Sequence, residues 1–303
     1  MQSFAYQSPQ SLDDAVALLS ENKKQQVRTQ ILAGGTDLMV QLRSVDREPR
    51  VLLDIKRIPD TMRIDVGTDD IFIGAAVPGA VISADEALAA MLPGLVEATD
   101  LIGSTQIQGR ATLGGNLCNS SPAADTIPAM IVVAGICVIV GPSGQREVAV
   151  EDFVTGVGQN VLEADELLVG LRFQRPPPRS GDAYLRFIPR TEMDIAVVGA
   201  GVALTLDADG RCTAARVAIG AVAPTVLLVP AAAEALIGTQ VDDDALAAAG
   251  AACTEASSPI TDKRGTVEYR KKVVAVLARR AGKIAAERAR GNERGYAKGS
   301  ADG

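Results

Sequence analysis

The stretch Ala111-Thr112-Leu113-Gly114-Gly115-Asn116-Leu117-Cys118-Asn119-Ser120-Ser121-Pro122-Ala123-Ala124-Asp125 places two adjacent glycines inside a run of neutral hydrogen-bonding side chains. Without Cβ atoms the backbone there can be approached closely, and positive φ angles cost nothing. Amides bared in a tight turn attract anions. Thr112, Asn116, Asn119, Ser120 and Ser121 offer neutral partners, which suits a buried diphosphate, and Asp125 is an acceptor for ribityl or ribose hydroxyls. The stretch reads as a cradle for a phosphorylated cofactor.

Ile31-Leu32-Ala33-Gly34-Gly35-Thr36-Asp37-Leu38 has the same character: a short apolar run meets a double glycine and then polar residues. One such turn is common in strand-to-helix connections. Two in one chain point to a shared ligand.

Composition narrows what that ligand does. The 303 residues contain no histidine, which removes His-based acid–base catalysis, Ser-His-Asp arrangements and the commonest zinc ligand. A bound cofactor supplies the chemistry these side chains lack. Hydrophobic residues make up 47% and charged residues 22%, ordinary for a globular chain. Aromatics are 3% with no Trp, so base stacking on single-stranded nucleic acid is disfavoured, and a flavin ring would lie against aliphatic side chains and backbone. Cys118, Cys137, Cys212 and Cys253 are widely spaced and form no cluster-binding run, so no metal site is expected. Cys118 sits in the cofactor loop as a small buried side chain, not as a nucleophile.

Net charge is −7, yet Lys263 to Lys298 holds twelve Lys or Arg against three Glu, a local balance of +9 that leaves −16 elsewhere. The interspersed acids read as a solvated helix or a partner-docking surface, not a nucleic-acid patch. No basic-then-apolar leader opens the chain and no apolar run reaches ~20 residues, so the expectation is a cytoplasmic protein without a membrane span.

Two domains are expected at this length. Ser11 caps a helix with Leu12, Val16 and Leu19 as its buried stripe. Strands are expected over 30–32, 51–55, 71–75, 137–140 and 167–173. Helices are expected over 83–91, with Ser83 as cap and Glu86 completing a capping box, over 95–102 and over 125–133. Pro176-Pro177-Pro178 marks a boundary. Beyond it, 196–206 and 213–222 form an antiparallel hairpin through Asp207-Ala208-Asp209-Gly210. Gly199-Ala200-Gly201 imitates a dinucleotide fingerprint but continues as a strand, so no Rossmann site is expected. Ala-rich helices over 242–257 and 267–290 precede a polar, Gly-containing tail over 291–303, expected to be disordered.

The glycine loops, with Ala183-Tyr184-Leu185-Arg186-Phe187, Met193-Asp194-Ile195-Ala196-Val197-Val198 and Asp262-Lys263-Arg264-Gly265-Thr266-Val267-Glu268-Tyr269-Arg270, resemble the FAD-binding medium subunits of molybdenum hydroxylases. That is the xanthine dehydrogenase and carbon monoxide dehydrogenase family, and the resemblance covers nearly the whole chain. It implies an α+β fold: a two-lobed FAD-binding domain of the vanillyl-alcohol-oxidase type over 1–176, with lobes of about 1–57 and 58–176. A C-terminal α+β domain with an antiparallel sheet follows over 180–290.

The resemblance makes the cofactor FAD. Ala33, Gly34, Gly35, Thr36, Asp37 and Leu38, with Thr112, Gly114, Gly115 and Asn116, would lie along its diphosphate, and Asp125 would hold hydroxyls. Ile102, Leu168 and Arg186 fall where family members touch flavin or adenine. Arg186 stands where relatives often have Lys, and its guanidinium keeps the positive charge. Asp194 is expected to be structural. No catalytic residue of this chain's own is implied.

The family's division of labour implies a large molybdenum-cofactor subunit, a small subunit with two [2Fe-2S] clusters, and this chain receiving electrons and delivering them onward, in an assembly with two copies of each subunit. A stand-alone FAD-dependent oxidase or reductase, a cofactor-free assembly subunit and a binding protein for another nucleotide are the alternatives. Intact glycines and Asp125 argue against a lost cofactor.

Overall fold

Val51-Leu52-Leu53-Asp54-Ile55 is apolar with little alternation, as suits a strand buried on both faces. In the computed structural model, which describes residues 4–43, 49–190 and 193–291, Arg50–Asp54 is the buried centre of a parallel three-stranded sheet. It lies between Phe4–Gln7 and Arg28–Leu32. The helix Leu12–Lys24 turns its Ala15 and Leu19 inward, and the Ser11 hydroxyl accepts from the Asp14 amide at 3.1 Å. This is the first lobe.

The second lobe is an antiparallel sheet in the order Ile64–Val66, Asp70–Gly74, Leu167–Gln174, Ile136–Gly141, Gly144–Ala149. Gly144–Ala149 has no apolar repeat and is not among the expected strands. A tight turn between Gly141 and Gly144 brings it onto its neighbour. The helix expected over 83–91 is two helices: Gly79–Ser83 and Glu86–Met91. Ser83 ends the first, while Asp85 caps the second by accepting from the Ala87 and Leu88 amides. Asp85 is one residue before the helix and presents a charged acceptor, which outcompetes the earlier hydroxyl.

The third sheet is antiparallel, in the order Ser180–Phe187, Val198–Leu206, Cys212–Gly220, Leu227–Leu228. The Asp207 to Gly210 turn joins its two long strands, with Gly210 at φ +81°. The helix Val267–Ala289 lies against the first two strands and Asp243–Ala256 packs on that helix. Helices Pro93–Asp100 and Thr126–Val132 of the second lobe pack on the same sheet. A Cβ at Gly201 would sit 3.0 Å from the Pro128 carbonyl oxygen, so the false fingerprint serves helix–sheet packing. The tail expected over 291–303 lies, from 292 onward, outside the described residues.

Ser180–Phe187 alternates strictly. Ala183, Leu185 and Phe187 join the C-terminal core, while Asp182, Tyr184 and Arg186 face the second lobe. Asp194 accepts from the Ile195 amide and from Arg190, both at 2.9 Å, a local structural role. Arg270 is buried and donates to the Val197 and Ala221 carbonyls and to Asp262, tying the start of its helix to the sheet.

Asp182 is 4% exposed beside the first turn of Pro93–Asp100, and its Oδ2 finds no partner. Arg288 donates to the Asp182 carbonyl at 2.7 Å and pairs with Glu97. Burial pushes the Asp182 carboxyl up to about 7 despite the Arg288 charge, with Glu97 adding to the rise. An acid whose pKa is higher folded than unfolded contributes stability at low pH that is lost as pH rises through the folded value. Asp182→Asn is therefore expected to melt at nearly the wild-type temperature at pH 4 and several degrees higher at pH 8, an effect on the order of a few kcal/mol. Thermal melts at the two pH values check it; an equal difference at both would refute the assignment.

Candidate cofactor-binding cleft

The two glycine loops, 76 residues apart in the pair Gly34 and Arg110, meet at the junction of the lobes. A Cβ on Gly34 would stand 2.0 Å from the Arg110 carbonyl oxygen, so only glycine lets the first loop seat on the second. Gly35 has φ +79°, the left-handed region where glycine carries no steric cost.

In the second loop the adjacent glycines divide their work. A Cβ on Gly114 would meet the Ala75 backbone oxygen at 2.6 Å, so this glycine serves packing. A Cβ on Gly115 would meet only the Thr112 Oγ1, at 2.9 Å, and Gly115 lines the cleft. Thr112 caps the short helix Leu113–Cys118, accepting from the Gly115 amide at 2.9 Å.

The cleft so formed is lined by Ala33, Gly34, Gly35, Thr36, Asp37, Leu38, Ile102, Thr112, Gly114, Gly115, Asn116 and Leu168 among others. Twelve of the expected residues thus share one cavity. Sequence reasoning missed Gln30, Ile31, Gln41, Leu162 and Leu167 as lining residues. Gln41 had a signal, since it follows the first loop by one helical turn; it donates to Asn119 at 3.3 Å. Ile31 is an apolar residue of an ordinary strand and Leu162 one of an ordinary loop, with no local mark of a site. Cys118 lines the cleft, and burial pushes its thiol up to about 12, which leaves it unreactive.

Asp125 and Arg186 lie outside this lining. They meet each other across the junction between the second lobe and the C-terminal sheet. Asp125 Oδ2 accepts from Arg186 Nη1 at 2.7 Å, and Oδ1 accepts from the Tyr184 hydroxyl at 3.0 Å. Both side chains of the ion pair are nearly enclosed, at 10% and 6% exposure. Burial raises the Asp125 carboxyl to about 6 against the pull of Arg186 and Tyr184, and burial with the neighbouring carboxylate holds the Tyr184 phenol well above its usual value. Next to Asp125, the Thr126 hydroxyl donates to Asn116 Oδ1 at 2.6 Å, which links this cluster to the cleft wall.

The donor set is neutral hydroxyls, amides and backbone, with aliphatic walls. It can hold a polar, anionic ligand with an apolar end, and Asp37 is the one carboxylate among its described lining residues.

Residues 2–175 match the family model described as the FAD binding domain in molybdopterin dehydrogenase. Residues 183–284 match the CO dehydrogenase flavoprotein C-terminal domain. The carbon monoxide dehydrogenase medium chain of Afipia carboxidovorans is 35% identical over 95% of this chain and 98% of its own length. The nicotinate dehydrogenase FAD-subunit of Eubacterium barkeri is 31% identical over 90% and 93%. Among solved structures, a chain of the Cu,Mo-CO dehydrogenase in its cyanide-inactivated form superposes with a TM-score of 0.88 at 33% identity, covering 95% of this chain and 99% of that one.

Proposed function

Because the chain belongs to the FAD-binding medium subunits of the molybdenum hydroxylases, an oxidoreductase family, we propose that it binds FAD in the cleft between the glycine loops and serves as an electron-transfer subunit. Its electrons come from [2Fe-2S] clusters of a small partner subunit, reduced in turn by a large molybdenum-cofactor subunit, and leave to an external acceptor.

The observation that carries this reading is the gathering of both glycine loops, Ala33 to Leu38 and Thr112 to Asn116, around one cleft. The Thr112, Thr36 and Asn116 side chains and the loop amides suit a diphosphate. Ile31, Ile102, Leu162 and Leu168 suit a flat apolar ring in a chain poor in aromatics. FAD supplies exchange of either one or two electrons, chemistry that side chains cannot provide. This chain's part is to bind and orient it and to exclude water with aliphatic walls. Asp125 acts from behind, next to the Thr126–Asn116 hydrogen bond on the cleft wall.

Among the described residues no helix is long and apolar enough to cross a membrane. The proposed setting is the cytoplasm, in an assembly with two copies of each of three subunits. Purification of the native protein with whatever copurifies is expected to give flavin absorbance, molybdenum, iron and two unlike chains. A flavin-bearing single chain that turns over substrate alone would favour a stand-alone enzyme, and a colourless preparation would overturn the FAD assignment.

A further inference from the structure

Lys56 lies outside the cleft lining, yet its Nζ donates to the Ala33 carbonyl at 2.9 Å, on the first glycine loop. It is held in place from behind. Asp54 Oδ1 accepts from Lys56 Nζ at 2.7 Å and from the Lys56 amide at 3.0 Å, and Asp54 Oδ2 accepts from the Tyr6 hydroxyl at 2.7 Å. Burial works against the Asp54 charge, but these hydrogen bonds hold its carboxyl below the usual range. One residue further along the loop, Arg110 Nε donates to the Gly34 carbonyl at 3.3 Å.

A peptide unit is planar and trans, so its C=O and N–H point in opposite directions. Drawing the Ala33 and Gly34 carbonyls toward two cations turns the Gly34 and Gly35 amides the other way. Both glycines line the cleft. Successive amides with a common direction form an anion-binding concavity. A Gly-Gly segment does not hold such an orientation by itself, because its peptide planes rotate freely. The restraint has to come from outside the loop.

We propose that Lys56, with Arg110 as its weaker counterpart, is a positioning residue that presents the Gly34 and Gly35 amides to the diphosphate of the cofactor. The proposal rests on the FAD reading of the cleft, and a comparison of FAD with riboflavin, which lacks phosphate, separates the two. In apoprotein of the full chain, Lys56→Met is expected to weaken FAD binding about tenfold and leave riboflavin binding unchanged, with a lower melting temperature because the buried Asp54 loses its counter-charge, and FAD binding is expected to be rescued to within a few-fold by Lys56→Arg. Titration of flavin fluorescence reads the affinities. FAD affinity equal to wild type, or an equal loss for both flavins, overturns the role of Lys56. If Lys56→Met does not fold, the exposed Arg110→Met carries the test, with a several-fold loss for FAD alone. Wild-type protein that binds FAD no better than riboflavin would instead overturn the cofactor reading.

Discussion

Gly115→Trp is expected to give a folded protein devoid of flavin, and its neighbour Gly114→Ala a protein that is markedly less stable. The two glycines are adjacent, yet their missing Cβ atoms point at different things. At Gly114 the new methyl would meet the Ala75 backbone oxygen and Cβ, both at 2.6 Å, where neither neighbour can rotate away. Overpacking of this kind costs about 3 kcal/mol or more, since the strand end carrying Ala75 must shift. At Gly115 the obstacle is the Thr112 hydroxyl, which can leave its capping position at a modest cost, and an indole on this cleft-lining residue is expected to occupy the ligand's space. Flavin-to-protein absorbance ratios and thermal melts of the two variants check this. Retained flavin in Gly115→Trp would mean that the ligand lies elsewhere.

Asp125→Ala is expected to destabilise the protein by about 3 kcal/mol, because it leaves the Arg186 guanidinium enclosed without a counter-charge. Asp125→Ala/Arg186→Met, which removes both charges and keeps apolar bulk, should recover most of that loss. Denaturant unfolding of the single and double variants measures the coupling; simple additivity would refute it. The carboxyl also carries a pH signature. Its folded pKa of about 6 lies above the value of about 4 for an unfolded aspartate, so ionisation works against the fold. The stability of wild type relative to Asp125→Asn should fall between about pH 4 and pH 6 and level off above. Flavin content should fall in Asp125→Ala as well, since the adjoining Thr126–Asn116 bond sits on the cleft wall.

The glycine loops are legible in sequence because a bare backbone next to neutral donors has few other uses, and two copies of the pattern compound the signal. What each glycine does is not legible. The contact of Gly34 with Arg110 and of Gly114 with Ala75 depends on segments distant in the chain. Asp125 shows the same limit: its proximity to the loop in sequence suggests a ligand contact, whereas both its oxygens are engaged by a strand some 60 residues further on. Lys56 and Asp54 look like the ordinary end of a strand until the fold brings the Ala33 carbonyl to them. Among the elements, the apolar strands and Ala-rich helices follow from their periodicity. Gly144–Ala149 does not, because one face is solvated and it is held by pairing to Ile136–Gly141.

The alternation of Ser180–Phe187 also governs how the chain can go wrong. Among the described residues, the polar side chains this strand turns toward the second lobe are at positions 182, 184 and 186, and its side chains in the C-terminal core are at 183, 185 and 187. A slip of one residue against Val198–Leu206 would exchange the two sets, driving two carboxylate- or guanidinium-bearing side chains into an apolar core and stranding Asp125. Mispaired intermediates are thus penalised on both faces at once, so this strand acts as a proofreading element for the assembly of the two halves of the molecule.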